Sequence, residues 1–170
     1  MSHYKVIDGA LRLQPREGVA GTAAQGRRVA LIAARFNGDV VDAMVVGAQS
    51  AWLRQGGDPD GLLLVRVPGA FELPLVAGKL AGSGRYDAVI ALGCVIRGDT
   101  AHFDFVAGEA ARGIQDVALK TGVPVIFGVL TTENAEQALE RASPDRMDKG
   151  GEAMDAALEM AQVLAELDRP

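Results

Sequence analysis

Residues 87–94 read DAVIALGC, and this short apolar run decides how the rest of the chain is interpreted. It is too short for an ordinary helix, it starts at a charged residue and it ends in a glycine and a cysteine, which is typical of a buried strand. Three further short apolar runs are likewise bounded by glycine, proline or charge: RVALIAA at 28–34, LLLVRV at 62–67 and VPVIFGVL at 123–130. The pattern predicts four buried strands.

Stretches of helical length separate and follow these runs. In the first of them, Val41, Met44, Ala48 and Trp52 recur on one helical face, as in a helix that packs on a sheet. We predict helices over residues 39–55, 71–81, 104–120, 134–142 and 149–167. Strands that alternate with helices through short loops form a mainly parallel sheet with right-handed crossovers. The expected fold class is α/β: a three-layer sandwich in which a four-stranded, mainly parallel sheet has helices on both faces.

Residues 1–26 are expected to form an N-terminal arm, and residues 27–170 a single domain. The arm has mixed polarity, several glycines and one proline, with only a weak strand pattern over residues 5–13. We expect it to lie on another surface, either as a flexible segment or as a strand added to a neighbouring molecule.

Composition limits the classes of function. The 170-residue chain has a formal net charge of −5 and a pI near 5.0, which argues against nucleic-acid and anionic-membrane surfaces and favours small-molecule ligands. No apolar run approaches the roughly 20 residues that cross a bilayer. The single cysteine, Cys94, cannot form an internal disulfide, and the opening MSHYKVIDGA lacks the layout of a signal peptide. We expect a cytoplasmic protein that binds neither nucleic acid nor membranes.

The loops that follow the four runs are expected to hold the chemistry. In a parallel α/β sheet, ligands bind beyond the carboxyl ends of the strands. The loops in question cover residues 35–37, 68–72, 95–102 and 131–133. Because these ends meet at one edge of the sheet, one site can gather all four loops.

The first two loops offer surfaces for an organic substrate. An exposed Phe36 in ARFNGD can stack on a flat heterocycle, or it can form a hydrophobic staple before the helix. In VPGAFELP, Glu72 falls in the first turn of a predicted helix, where a carboxylate and backbone N–H groups can hold a polyhydroxylated chain. The same glutamate can simply complement the helix dipole. The residues alone leave both pairs of interpretations open.

The loop in VIRGDTAHFDF is the richest in polar groups. Gly98, Asp99 and Thr100 lead to the helix predicted from Asp104, and free N–H groups with a hydroxyl at such a place bind an anion, most often phosphate. Helix capping by Asp99, Thr100 or Asp104 explains part of the pattern equally well. His102 beside such a loop can shuttle protons near neutral pH, although a lone histidine is often only a residue at a helix start.

Several common catalytic motifs do not occur. The sequence has no GxGxxG, GxxxxGK[ST] or GxSxG motif and no Cys/His cluster with metal spacing, which disfavours nucleotide-driven, serine-hydrolase and zinc chemistry. Cys94 is expected to be a small buried residue rather than a nucleophile. In RASPDRMDKGG, the basic residues form either a solvated connection or, through Arg141, a bidentate phosphate contact.

Five segments occur in a characteristic order and spacing: ARFN, VPGAFELP, ALGCVIRGDTAHFDFV, GVPVIFGVLTTEN and RASPDRMDKG. Together they resemble the 6,7-dimethyl-8-ribityllumazine synthase family from about Arg28 to the last residue. The resemblance implies a flavodoxin-like topology and a transferase of riboflavin biosynthesis. That enzyme condenses 5-amino-6-(D-ribitylamino)uracil with 3,4-dihydroxy-2-butanone 4-phosphate to give the lumazine, phosphate and water. No metal or organic cofactor is implied.

The resemblance also implies a role for each candidate residue, with His102 as the catalytic group that transfers protons. The substrate-binding residues fall into three groups. They are Phe36, Cys94, Val95 and Ile96 at the pyrimidine, with Phe127 in the pocket; Ala70, Phe71 and Glu72 at the ribityl chain, with Lys149 nearby; and Asp99, Thr100 and Arg141 at the phosphate.

Two positions depart from the family pattern. Asp99 places a potential anion beside the phosphate, where a neutral residue or Glu also occurs, so we expect backbone N–H groups and Thr100 to do the binding. Ala101 replaces a proline expected before His102. Neither change removes a proposed catalytic group. A binding or cage-forming relative without catalysis could dispense with His102 or Arg141, and both are present. A flavodoxin-like flavin binder would need a phosphate loop after the first strand, which ARFNGD is not.

A homo-oligomer is implied as well: a pentamer, alone or packed into a decamer or a sixty-subunit shell, with riboflavin synthase as a candidate partner. Residues 143–148, SPDRMD, differ from the Gly-x-Lys-x-Gly-Asn turn of many shell formers, which favours pentamers or decamers. At about 1.5 Å per residue, the helix from Asn134 places Arg141 on the order of 10 Å below the loop edge. Phe127 is similarly displaced, because it lies inside a strand and not at its tip. We therefore expect Arg141 and Phe127 to reach the pocket of an adjacent subunit, and the resemblance implies that Phe127, Arg141 and Lys149 complete it.

Overall fold

The computed structural model describes residues 21–170, which form one alternating series of strands and helices. The strands are β1 (Val29–Ala34), β2 (Leu62–Val67), β3 (Ala88–Ile96) and β4 (Val125–Thr132). The helices are α1 (Gly38–Arg54), α2 (Leu73–Ala81), α3 (His102–Thr121), α4 (Ala135–Ala142) and α5 (Lys149–Leu167). Short 3₁₀ turns over Pro59–Gly61 and Ala70–Glu72 precede β2 and α2. The four predicted strands and five predicted helices are all present.

The four strands are parallel and lie in the order β2-β1-β3-β4. Val29 pairs with Leu62 on one side and with Ala88 on the other, so the amino ends of three strands start level with one another. An order in which the first strand lies between the second and third is that of flavodoxin-like sheets. The predicted α/β fold class is confirmed.

Apolar side chains of the sheet fill two layers, one on each face. Helices α1, α4 and α5 cover the first layer, in which Met44, Trp52 and Met154 are fully buried. Helices α2 and α3 cover the second, around Leu73 and Ile114. Every residue of β1 is buried, as expected for a central parallel strand covered on both faces. The three layers are thus helices, sheet and helices.

The ends of the elements lie within two residues of those predicted, and three of the differences change the carboxyl edge of the sheet. Strand β3 continues to Ile96 and β4 to Thr132, because Ile96 pairs with Thr132 and the ladder outlasts the apolar runs. Helix α3 begins at His102 rather than near Asp104. As a result, the loop between β3 and α3 shrinks to residues 97–101.

Residues 21–26 form a turn that packs against the end of α1. Ala24 is fully buried, and its N–H donates a hydrogen bond to the carbonyl of Gln55 at 3.0 Å. Residues 1–20, which include the weak strand pattern over 5–13, lie outside the described residues. The expectation for the arm therefore stays a prediction.

None of the helices within residues 21–170 is both long and apolar enough to cross a membrane.

Candidate functional site

Phe36 follows β1 and lies beside the loop that follows β2. Its backbone N–H donates to the carbonyl of Pro68 at 3.0 Å. Its ring covers Gly69, where a Cβ atom would lie 2.6 Å from Phe36 Cδ2, so a glycine is needed for this approach. The ring is nevertheless 68% exposed, and a buried hydrophobic staple therefore does not describe it. One face of Phe36 is available for stacking.

Asn37 lies at this edge, and the sequence analysis assigned it no role. It has a left-handed backbone (φ 56°) just before α1, and its Nδ2 donates to the carbonyl of Cys94 at 2.8 Å. Asn tolerates this conformation better than most residues, which is the one sequence signal that pointed to it. The contact ties the end of β1 to β3 and uses the backbone of Cys94.

The loop after β2 is closed by reciprocal contacts. The N–H of Gly69 donates to Glu72 Oε2 at 3.0 Å, and the N–H of Glu72 donates to the carbonyl of Gly69 at 3.3 Å. Ala70 is buried in this turn, whereas Phe71 is exposed. Capping therefore occupies one oxygen of Glu72, and the second accepts no hydrogen bond from residues 21–170. Both proposed roles of this carboxylate are compatible.

The end of β3 forms a partly apolar floor. Cys94 is buried, and burial raises the pKa of its thiol to about 11. A thiol that stays protonated at neutral pH is a poor nucleophile, in agreement with its predicted role as a small buried residue. Val95 and Ile96, which complete the strand, are half-buried.

Residues 98–102, which we term the anion loop, lead into α3 with unused hydrogen-bond donors. The N–H groups of Gly98, Asp99, Thr100 and Ala101 donate to no group in the described part of the chain. Ala101 occupies the N-cap position and has no side chain that can cap. Asp104 falls inside the first turn, and only Thr100 makes a local contact, a long one of 3.4 Å from the N–H of His102. Side-chain capping thus leaves most donors of this helix start free.

His102 is the first residue of α3 and is exposed. Its ring nitrogens make no hydrogen bond to residues 21–170. An imidazole in this position, next to free N–H donors, can exchange protons with a ligand held by the anion loop.

Arg97 is a second residue of this edge to which the sequence analysis assigned no role. Its N–H donates to the carbonyl of Thr132 at 2.9 Å, which extends the pairing of β3 with β4 by one residue. Its side chain contacts Glu133 after β4 (Nε to Oε2, 3.1 Å) and Asp104 of α3 (Nη1 to Oδ1, 3.5 Å). No local pattern predicted the contact with Glu133, because it joins segments that are 36 residues apart in sequence.

Phe127, Arg141 and Lys149 lie apart from the residues described so far. Phe127 and Lys149 line a depression of about 220 Å³ between β4 and α5, and no loop residue of the carboxyl edge lines it. Lys149 forms an ion pair with Glu152 at 2.6 Å. Arg141, in the last turn of α4, donates from Nη1 to the carbonyl of Gln137 at 3.1 Å. Within residues 21–170 of one chain, no hydrogen bond or ion pair joins these three residues to the anion loop.

The groups on the described residues are better suited to binding organic and anionic ligands than to binding metal ions. No group of three or more His, Cys, Asp and Glu side chains within residues 21–170 is placed to hold a metal ion. The carboxyl edge instead combines an exposed aromatic ring, a carboxylate oxygen, free N–H groups and an imidazole. Such a set can bind a flat polar ring and a phosphate ester side by side and move a proton between them.

Comparison with known proteins gives a consistent result. The family model described as 6,7-dimethyl-8-ribityllumazine synthase matches residues 26–165. A protein of Nitratidesulfovibrio vulgaris strain DP4 with this name is 48% identical over 167 residues, which cover 98% of this chain and 100% of that protein. A protein of the same name from strain Miyazaki F is 48% identical over the same extent. The resemblance inferred from the five segments is confirmed, and the chain belongs to the 6,7-dimethyl-8-ribityllumazine synthase family.

Proposed function

We propose that the chain is a transferase of riboflavin biosynthesis which condenses 5-amino-6-(D-ribitylamino)uracil with 3,4-dihydroxy-2-butanone 4-phosphate. The products are 6,7-dimethyl-8-ribityllumazine, phosphate and water. The observation that supports this most directly is the approach to α3, where four N–H groups that have no acceptor within residues 21–170 lie beside an exposed His102. A phosphate ester fits the donors, and the imidazole is adjacent in the chain.

The phosphate substrate is assigned to the anion loop. Backbone N–H groups of residues 98–101 and the hydroxyl of Thr100 would hold the phosphate and later release it as the leaving group. Because the exposed carboxylate of Asp99 is an anion like the phosphate, these neutral donors would do the binding. His102 would transfer protons as the amine attacks the ketone, water is lost and the second ring closes.

The pyrimidine substrate is assigned to the loops after β1 and β2 and to the end of β3. Phe36 would stack on its ring, while Cys94, Val95 and Ile96 line the pocket, partly through backbone groups. The free carboxylate oxygen of Glu72, with the turn over Ala70 and Phe71, would hold the ribityl hydroxyls. Much of the acceleration would come from holding two reactants in one orientation, which can account for roughly 7–11 kcal/mol of a barrier in well-oriented systems.

Each site would be completed by an adjacent subunit. The separation of Phe127, Arg141 and Lys149 from the carboxyl edge supports this assignment, because their side chains are available on a different surface of the same chain. A closed ring would bring that surface beside the next subunit's anion loop. We propose a pentamer, alone or paired as a decamer, in preference to a sixty-subunit shell.

The arm and the cellular context belong to the same proposal. Strand β2 is an edge strand within residues 21–170, and its Leu63 and Leu64 are each 37% exposed, so the part of a neighbour's arm that precedes the turn at residues 21–26 could add a strand there. We propose that the reaction takes place in the cytoplasm and that riboflavin synthase, which would use the lumazine, is a candidate partner.

Mixing the purified protein with both substrates tests the proposed function. We expect the absorbance and fluorescence of the lumazine to appear, together with one phosphate per product, and neither signal when one substrate is omitted. If the folded protein binds both substrates and forms no lumazine, it is a binding protein and the proposal is wrong.

A further inference from the structure

The side chain of Arg97 joins three segments at the carboxyl edge of the sheet, and the reaction proposed above does not use it. Besides its contacts with Glu133 and Asp104, the guanidinium carbon lies 4.2 Å from the centre of the Phe103 ring. Its backbone is held by Thr132 on β4. Arg97 therefore fixes both ends of the anion loop: one end through its backbone, and the other through its contacts with the first turn of α3.

We propose that Arg97 is a positioning residue that holds the anion loop in the shape that receives the phosphate of the substrate. The inference rests on the proposed function. Arg97 acts through the neighbouring residues and does not touch the phosphate itself.

The loop has little else to keep its shape. Its first four N–H groups have no acceptor within residues 21–170, and its one side-chain contact, from the N–H of His102 to Thr100, is long. Nothing in the described structure lies within 4 Å of the position that a Cβ would take at Gly98, so packing does not confine that residue. A loop with free donors must be held from outside if it is to be ordered before the ligand arrives.

The contacts of Arg97 suit this role better than direct phosphate binding. Two carboxylates already balance its charge, and the aromatic ring of Phe103 covers one face of the guanidinium. Glu133 is itself fixed, since its N–H donates to Gln137 Oε1 at 2.9 Å and Gln137 belongs to α4. A planar guanidinium that stacks and forks in this way cannot be reproduced by a lysine.

The pyrimidine side of the site is held independently. Phe36 is fixed by the carbonyl of Pro68, and Glu72 by the N–H of Gly69. Loss of the Arg97 side chain should therefore weaken binding of the phosphate substrate and leave binding of the pyrimidine substrate nearly unaffected. A general folding or assembly defect would weaken the binding of both substrates.

The first experiment compares Arg97→Gln with a matched control, Arg112→Gln. Arg112 lies on α3, beyond the anion loop, and forms a similar exposed fork with Glu109 and Asp116. For Arg97→Gln we expect the KM of the butanone phosphate and the inhibition constant of inorganic phosphate to rise about tenfold, since the loop must then be ordered on binding. The KM of the pyrimidine and kcat at saturation should stay within about threefold, and Arg112→Gln should resemble the wild type. An unchanged phosphate affinity, or an equal loss for both substrates, overturns the inference.

A second variant separates geometry from charge and covers a failure of Arg97→Gln to fold. Arg97→Lys keeps the positive charge and loses the stacked fork, so its phosphate affinity should fall by about threefold or more. Wild-type affinity in Arg97→Lys would show that charge alone is enough and would overturn the positioning role.

A double-mutant cycle distinguishes positioning from direct contact. In a background with Glu133→Gln and Asp104→Asn, Arg97 has lost the carboxylates through which it acts, so adding Arg97→Gln should change phosphate affinity by less than about threefold. If Arg97 binds phosphate itself, the loss will be as large as in the wild-type background, and the inference is wrong. Calorimetric titration with inorganic phosphate needs no turnover, so this test gives a result even if the proposed reaction fails.

Discussion

His102 is the residue whose replacement examines the proposed chemistry most directly. Its ring is exposed at the start of α3 and makes no hydrogen bond within the described chain, so its removal should leave the fold intact. We expect His102→Ala to lower kcat by up to about 10²-fold, because orientation of the substrates supplies much of the acceleration and general acid–base catalysis the remainder. Steady-state kinetics with both substrates measures this.

The control for His102 is His102→Asn, which can form hydrogen bonds but cannot shuttle protons near neutral pH. It should be as slow as the alanine variant. A variant that loses substrate binding and keeps its turnover number would contradict a role in proton transfer.

Cys94 allows a prediction about pH. Burial raises the pKa of its thiol from 9.0 to about 11, so the folded protein keeps the proton over a range in which the unfolded chain loses it. At pH 8 we expect iodoacetamide to modify the native protein at least roughly 10²-fold more slowly than the denatured chain, since only the thiolate reacts. Mass spectrometry of timed samples follows the modification.

The linked effect on stability has a definite sign. Between about pH 9 and pH 11 the native state binds more protons at this site than the unfolded state, so this contribution to stability falls as pH rises. The variant Cys94→Ala lacks that component. Native Cys94 that reacts at pH 8 as fast as the denatured thiol would show that the residue is accessible and ionised, contrary to its position in the structure.

The contact of α1 with α5 sets how closely two elements approach. At Gly150, near the start of α5, a Cβ would fall on the backbone carbonyl of Met44 in α1. Gly47 of α1 has no room either, because a Cβ there would meet the side chain of Asp148, which caps α5 by accepting from the N–H of Gly151 at 3.0 Å. The two helices therefore approach backbone to backbone, and this approach also sets the start of α5, where Lys149 lies.

Replacement of Gly150 should separate these helices at a cost in stability. We expect Gly150→Ala to destabilise the protein by about 1–3 kcal/mol, as overpacking of a close contact does. Urea unfolding followed by circular dichroism measures the change.

Gly108→Ala is the matched control for Gly150→Ala. Gly108 lies in α3, and nothing in the described structure lies within 4 Å of the position that a Cβ would take there. Alanine at this position should therefore raise the free energy of unfolding by roughly 0.5–1 kcal/mol, because it has the higher helix propensity. Equal effects at the two positions would refute the close approach of α1 and α5.

At the scale of the whole molecule, sharing of the site between subunits can be tested by complementation. Helix α4 begins at Ala135, and Arg141 in its last turn contacts its own Gln137 and not the anion loop. We expect His102→Ala and Arg141→Ala to regain part of the activity when they are unfolded together and refolded as a mixture, assayed under conditions in which each variant alone is nearly inactive. Some interfaces would then pair an intact His102 with an intact Arg141.

The refolded mixture is compared with each variant refolded alone and with the two variants mixed without unfolding. The size of each assembly is checked by light scattering. Activity that stays at the level of the separate variants would show that each chain uses its own Arg141, and the shared site would be wrong.

Sequence reasoning was sufficient for the architecture and for the main groups of the site because both depend on short-range patterns. Apolar runs and helical periodicity identified all the described strands and helices, and strand direction placed Phe36, Glu72 and His102 at one edge. The family motifs supplied Phe127, Arg141 and Lys149, and the position of Arg141 along the helix from Asn134 suggested that it serves another subunit.

Only the tertiary structure disclosed the contacts by which Asn37 and Arg97 hold this edge together. Their partners are Cys94, which is 57 residues away in sequence, and Glu133, which is 36 residues away. The continuation of β3 to Ile96 also depends on pairing with β4 rather than on the local run of residues. The groups that form such contacts come together only when the chain has folded. A periodic pattern along the sequence therefore cannot predict them.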